Sequence, residues 1–314
     1  MPRPRTVTIT GGSGFVGQLL RQGLRERGYE VRVFDRSRGP LADLLTRRFL
    51  GLGGRRWLPV AHGIRRLQRL ARRQLARAGL PRPSGDEILD LRGVLTSRFR
   101  GSHGVIHLAG LPHPVWPGAV DDDFRRVNHE GSVNVFEAAR DAGVPKFVFA
   151  SSAQVYRIHR PVRIDQLPIL ESNHCPSLEE GQSAYGWAKR EVERYLEAQA
   201  GRGGTQSVAL RLEYPGFLSR KAENFFVSTS LENLVAGFAC ALEAPDRFAS
   251  ATLNLADGEV AEGVADIQAF IRERWPHVPN HSRGNECLLS TARARELLGY
   301  RPRPGGRYLD ALLA

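Results

Sequence analysis

The stretch TVTITGGSGFVG, Thr6–Gly17, decides the fold of this chain. Its first five residues form a β-branched run that suits a buried parallel strand. After the glycines, Phe15, Val16, Leu19, Leu20 and Leu24 recur at helical spacing until Gly28 stops the helix. Strand, glycine turn and helix follow in that order. In such a unit Gly11 makes the tight turn, Gly14 lets backbone approach a phosphate closely, and Gly17 lets helix pack on strand. The helix N-terminus, starting at Phe15 and Val16, favours an anion at the same place. A second strand, EVRVF (Glu30–Phe34), runs into Asp35, whose carboxylate suits the ribose hydroxyls of a dinucleotide. The carboxylate also repels a 2′-phosphate, so NAD is the expected cofactor. NADP is the alternative, because Arg36 and Arg38 follow directly.

Farther along lies YGWAK, Tyr185–Lys189. Spacing of i to i+4 puts the phenol and the ammonium on one helix face. The helical stretch Ala184–Gln199 carries them, with Ser183 as its N-cap and Arg190, Glu191 and Arg194 on its solvent side. A free phenol, with a pKa of about 10, is a poor base at neutral pH. Positive charge from Lys189 and an oxidised nicotinamide is expected to favour its ionised form. Tyr185 then exchanges a proton with a substrate hydroxyl while hydride moves to or from the nicotinamide. The chain holds three lysines, Lys146, Lys189 and Lys221, among 45 basic residues, which gives this pairing weight.

Further motifs extend these two. GVIHLAG (Gly104–Gly110), VNHEGSVNVFEAAR (Val127–Arg140), KFVFASSAQVY (Lys146–Tyr156) and ILDLRG (Ile88–Gly93) follow in the order of an extended short-chain dehydrogenase/reductase. On these residues the chain resembles the NAD-dependent epimerase/dehydratase family over most of its length. The resemblance implies a Rossmann-type α/β fold, a doubly wound parallel sheet. It implies Ser152 as a hydrogen-bonding partner of the reacting oxygen, Tyr185 as the proton-transfer group and Lys189 as the holder of the nicotinamide ribose. It implies Asn128 as support for the lysine through a water. Asp90 is expected to face the adenine amino group, with Leu108 and Ala109 lining the cofactor. Ser152 capping a strand end and Asn128 fixing a helix kink are the plain structural readings of those two residues.

Departures bear on substrate. Family dehydratases carry an Asp-Glu pair where this chain has Ala153-Gln154, which argues against dehydration. The Gly that often follows Val-Tyr is Arg157, and the family's Arg-x-x-x-Tyr-Gly-Pro appears as RLEYPG, Arg211–Gly216. Only FLSRKAE (Phe217–Glu223) separates the sixth strand from NFFVSTSLENLVAGFACALEAP, which resembles a later strand and helix. The short segment is reminiscent of uronate-dehydrogenase-like members and suggests a small sugar-like substrate. His113, Trp116 and Arg220 are the candidate substrate residues. An epimerase, and an NAD-binding scaffold or sensor, are the alternative functions. His107 reads as a packed sheet residue, and no metal-ligand spacing is present.

The expected organisation is a cofactor domain over 1–216 and a small cap over 217–314, with a strand returning to the sheet near 251–256. TARARELLGY (Thr291–Tyr300) is placed in the cap. At 314 residues and 41% hydrophobic the chain can bury one large α/β core, and three unpaired-looking cysteines suit a reducing compartment. No signal peptide or membrane-spanning run is read, so a cytoplasmic location is expected. The net charge of +12 is concentrated in residues 36–85, which hold thirteen Arg and one acid. A basic helical insertion is expected over about 40–85, with a cationic amphipathic helix over 60–78. Its expected roles are packing on its own fold or in a homodimer, and peripheral contact with a membrane or acidic partner; nucleic acid ranks last.

Overall fold

The computed structural model describes residues 5–35, 92–112 and 119–309. Arg36, Asp90, His113, Trp116, the third strand expected at Ile88–Gly93 and the basic insertion lie outside them, wholly or in large part.

Among the described residues six parallel strands form one sheet: β1 (Thr6–Thr10), β2 (Glu30–Phe34), β3 (Gly104–His107), β4 (Lys146–Ser152), β5 (Gln206–Leu212) and β6 (Ser250–Leu255). Their spatial order is β2-β1-β3-β4-β5-β6, so the chain reverses direction across the sheet between β1 and β3. In a doubly wound fold that reversal opens a crevice at the strand C-termini.

Alternation along the strands sorts the core onto two faces. Val7, Ile9, Ile106, Val148, Val208 and Leu210 point to one, where α1 (Phe15–Glu26) and a helix at Leu231–Leu242 pack. Val105, Phe147, Phe149 and Ala209 point to the other, against α2 (Arg92–Phe99), α3 (Gly131–Asp141) and α4 (Ala184–Ala198). The helix at Leu231–Leu242 is α5. A separate apolar cluster gathers Val155, Tyr156, Ile158, Leu167 and Ile169 with Phe225, Val227, Val260 and the helix α6 (Ile267–Arg274) beyond the strand ends. Burying each such large side chain contributes about 1.5–3 kcal/mol.

Three local expectations are corrected. The segment Asn224–Ser230 is no strand. A 3₁₀ turn at Ala222–Asn224 precedes it, and Phe225 and Phe226 take left-handed backbone at φ 59° and 57°. That backbone sends Phe225 into the ring of Trp275 and Phe226 into that of Phe270, with centroids 4.5 and 5.0 Å apart. Apolar packing therefore replaces the pleat. The helix expected over Val127–Arg140 is interrupted by π-helical geometry at Phe124–Glu130 before α3 begins. TARARELLGY forms α7 (Ala292–Leu298), whose Ala294 joins Tyr300 in the core against β6 rather than over the strand ends.

Candidate active site

The crevice is built by close backbone approach. Gly11, at φ 72°, lies so near the end of β3 that an added Cβ would stand 2.6 Å from the amide nitrogen of Ala109. Its own amide bonds the carbonyl of Phe34, and Leu108 bonds the carbonyl of Thr10, both at 3.0 Å. Gly11, Leu108 and Ala109 thus meet at the switch point. Gly14 caps α1, and having no side chain it leaves the first amides of the helix, at Phe15 and Val16, as unpaired donors. A Cβ on Gly17 would stand 2.5 Å from Cα of Gly12, so the helix sits directly against the turn. Asp35 follows β2, half-buried, and one carboxylate oxygen accepts from the amide of Ser13 at 3.0 Å. The turn, the helix end and the acid suit a dinucleotide.

The second half of the site forms at the ends of β4 and β5. Ser152 ends β4 in extended backbone, and its hydroxyl accepts from the amide of Gln154 at 3.2 Å. The capping reading of Ser152 therefore holds alongside its position in the site. The Ser152 hydroxyl also stands near enough to Tyr185 to oppose the rise of the phenol's pKa. Gly186 allows that contact. An added Cβ there would stand 2.6 Å from the carbonyl oxygen of Gln154, so α4 lies against the turn after β4. The side-chain amide of Gln182 reinforces it, donating to the carbonyls of Gln154 and Val155 at 3.0 and 2.9 Å. Neither Gly186 nor Gln182 was singled out from the sequence, although a glycine beside a tyrosine on a helix is itself a sign of close packing.

Lys189 lies one turn after Tyr185 and is equally buried, at 7% exposure for each. Its ammonium donates to the carbonyl of Ala150 at 2.7 Å, 4.6 Å from the ring centroid of Phe149 and 5.9 Å from that of Tyr185. Burial pushes its pKa down to about 8, against the opposing charge of Glu193. Burial pushes Tyr185 up to about 12, the Ser152 hydrogen bond opposes this, and Glu213 adds to it. Desolvation of the phenolate is the largest cause of that rise.

Asn128 sits in the π-helical stretch, 1% exposed. Its side chain accepts from the amide of Leu111 at 2.7 Å and donates to the carbonyl of Leu111 at 3.0 Å. It ties the loop after β3 to the helix that faces α4. His107 is a satisfied sheet residue: it bonds Thr10 and Ser132 at 2.6 and 2.9 Å, and burial first, then Lys189, lowers its pKa to about 3. Arg157 takes the left-handed conformation at φ 55°, which explains why the family favours glycine there. Arg220 is exposed on the loop after β5. Among the described residues no group of three or more metal-ligating side chains is present, and no helix is long and apolar enough to cross a membrane.

Glu213, one residue past β5, was not recognised from the sequence as part of the site. It is 6% exposed, and among the described residues its carboxylate oxygens accept from Gln154 at 3.3 Å and Asn224 at 3.5 Å, with His159 at 4.0 Å. Burial pushes it up to about 7, against those two amides.

Comparison with known proteins places these features. The model of the NAD dependent epimerase/dehydratase family matches residues 7–239. The UDP-glucose 4-epimerase uge1 of Schizosaccharomyces pombe is 29% identical over 61% of this chain and 46% of its own length. A 3-beta-hydroxysteroid dehydrogenase of Mycolicibacterium neoaurum is 26% identical over 74% of this chain and 52% of its own. The chain thus spans about half the length of these curated relatives. A short-chain dehydrogenase/reductase superfamily protein from Agrobacterium tumefaciens, solved with bound NAD, shares the fold with a TM-score of 0.59 at 21% identity, over 95% of this chain and 93% of that one.

Proposed function

Because this chain belongs to the NAD dependent epimerase/dehydratase family, we propose that it is an NAD-dependent oxidoreductase acting on a hydroxyl-bearing carbon of a sugar or sugar-derived substrate. The observation that carries this reading is the convergence of Ser152, Tyr185 and Lys189 at the end of β4, beside the crevice that Gly11 and Ala109 form. Gly11, Gly14 and Gly17 hold the pyrophosphate, with the amides of Phe15 and Val16 as donors. Asp35 accepts from the adenosine ribose and disfavours a 2′-phosphate, hence NAD over NADP. When bound, NAD supplies the hydride acceptor or donor of the reaction.

Ser152 donates to the reacting oxygen, while Tyr185 takes the hydroxyl proton in oxidation or returns it in reduction. A phenol near 12 needs nearby positive charge to give up its own proton, and Lys189 stands on the same helix face to provide it. Lys189 would also hold the nicotinamide ribose of a bound NAD. Asn128, through Leu111, positions the loop that borders the crevice. The parts of 217–314 that gather beyond the strand ends, α6 among them, supply the cap over the substrate, and Arg220 is its candidate anion contact. A homodimer, and peripheral contact with a membrane or acidic partner through the basic stretch 60–78, extend this reading from the sequence alone.

Mass spectrometry of the nucleotide released on denaturing freshly purified protein tests it. NAD carried through purification, or reversible binding of added NAD, is the expected result. Retained NAD in stoichiometric amount points to hydride recycling, as in an epimerase; ready exchange points to a dehydrogenase. Protein that neither carries nor binds a nicotinamide dinucleotide contradicts the proposal.

A further inference from the structure

Glu213 differs from the other buried acids in what surrounds it. Glu193, 0% exposed, takes two bonds from Arg211 at 2.9 and 2.7 Å, one from Ser151 at 2.6 Å and one from Arg190 at 3.0 Å. Asp257 accepts from Ser230, Asn233 and Tyr308. Glu213 has two long amide contacts and, among the described residues, no Lys or Arg pairs with it. A carboxylate can accept about four hydrogen bonds, so capacity is left over. Burying such a group without a matching cation costs several kcal/mol, and folds tolerate that mainly where the group has work to do.

Its place says what that work is. Leu212 pairs with Ser152 across β4 and β5, so Glu213 begins the loop at the next strand end, where ligands bind in this fold. Gln154, two residues after Ser152, is its hydrogen-bond partner, and its charge is felt by Tyr185. From this placement we propose that Glu213 determines specificity: its carboxylate, at the strand end next to Ser152 and with no Lys or Arg partner among the described residues, accepts a hydrogen bond from a neutral hydroxyl of the substrate and rejects substrates that carry an anion at that place.

The proposal rests on the oxidoreductase reading and sharpens it, since it favours neutral polyols over uronates. The groups that face Glu213 are Gln154 from the turn after β4, Asn224 from the loop after β5, Tyr185 from α4, and His159 at the exposed edge. As pH falls through about 7, Glu213 takes up a proton and its repulsion of anions fades.

The test compares NAD reduction with D-glucose against D-glucuronate, and with D-galactose against D-galacturonate, in the wild type, E213Q and Y185F. At pH near 8 the wild type should prefer the neutral member of a pair in kcat/KM, and E213Q should cut that preference by about tenfold or more, because like-charge contact has been removed. The wild type alone provides a second arm: its uronate-to-hexose ratio should rise as pH falls from about 8 to about 6. H159Q should keep that shift. A wild-type preference for the uronates, a ratio unchanged in E213Q, or a pH shift lost in H159Q overturns the role of Glu213. Each of those leaves the oxidoreductase reading intact if Y185F is inactive. A Y185F as active as the wild type overturns both.

Discussion

Glu193 and Glu213 are both buried carboxyls near α4, and they are opposites. Glu193 lies beneath the site with its charge matched by Arg211, Arg190 and Ser151; burial works against its ionised form, yet these partners hold its pKa below the ordinary range. Glu213 lies just past the end of β5 with two weak amide contacts, and burial wins. The contrast separates scaffold from chemistry. The Arg211 guanidinium, 1% exposed, also donates to Tyr156 at 2.5 Å and to the carbonyl of Glu171 at 3.1 Å, so one network joins β5, α4 and the segment after β4. That network fixes the helix on which Tyr185 and Lys189 stand. The acid past β5 has no Lys or Arg to match it among the described residues.

Breaking the matched network should give the largest stability effect. R211M takes from buried Glu193 its fully buried cation and leaves it only Arg190 and Ser151, so it should cost about 3 kcal/mol in urea unfolding, whereas R211M combined with E193M should recover most of the loss. A single R211M costing under about 1 kcal/mol breaks the contrast.

The pH dependence of stability sharpens it, because the two acids predict opposite slopes. Glu213 binds its proton more tightly folded than unfolded. Its contribution is therefore full below about 4.5 and is lost as pH rises toward about 7, a change of about 3 kcal/mol. Glu193, with its folded pKa depressed, contributes above the ordinary carboxyl range and loses that contribution as pH falls through it. E213Q should remove the loss between about 4.5 and about 7, which chemical denaturation across that window measures. An unchanged slope in E213Q shows that Glu213 is as well matched as Glu193.

The smallest effect belongs to the start of α4. Ser183 accepts from the amide of Gly186 at 3.1 Å, so S183A should cost about 1 kcal/mol in thermal or urea unfolding. A cost near zero means that Gln182 alone holds the helix start against the turn after β4.

The same contrast explains what was legible in the sequence. Local patterns gave β1, β2 and α4 with their bounds or nearly so, because each carries its own periodicity, cap or glycine. Ser152, Tyr185 and Lys189 were legible as motifs, and the fold brings them together. Tertiary matches were not. In RLEYPG, Arg211 and Glu213 look like natural partners two residues apart, yet Arg211 turns to Glu193 and leaves Glu213 alone. The strand expected from NFFVSTS failed for a related reason: its two phenylalanines are drawn to Trp275 and Phe270, distant in sequence, and the backbone follows. The burial that raises Tyr185 and lowers Lys189 was not legible, because a sequence shows a cation four residues away but not the desolvation of both groups.

Turnover and cofactor affinity measured together in Tyr185→Phe go to the heart of the oxidoreductase assignment. With a substrate found by screening sugars against NAD, kcat should fall by about a hundredfold to ten-thousandfold, while NAD affinity stays within about threefold of the wild type. A variant that binds NAD normally and keeps most of its turnover would contradict the assignment of Tyr185 as the proton-transfer group, and with it the chemistry proposed for this site.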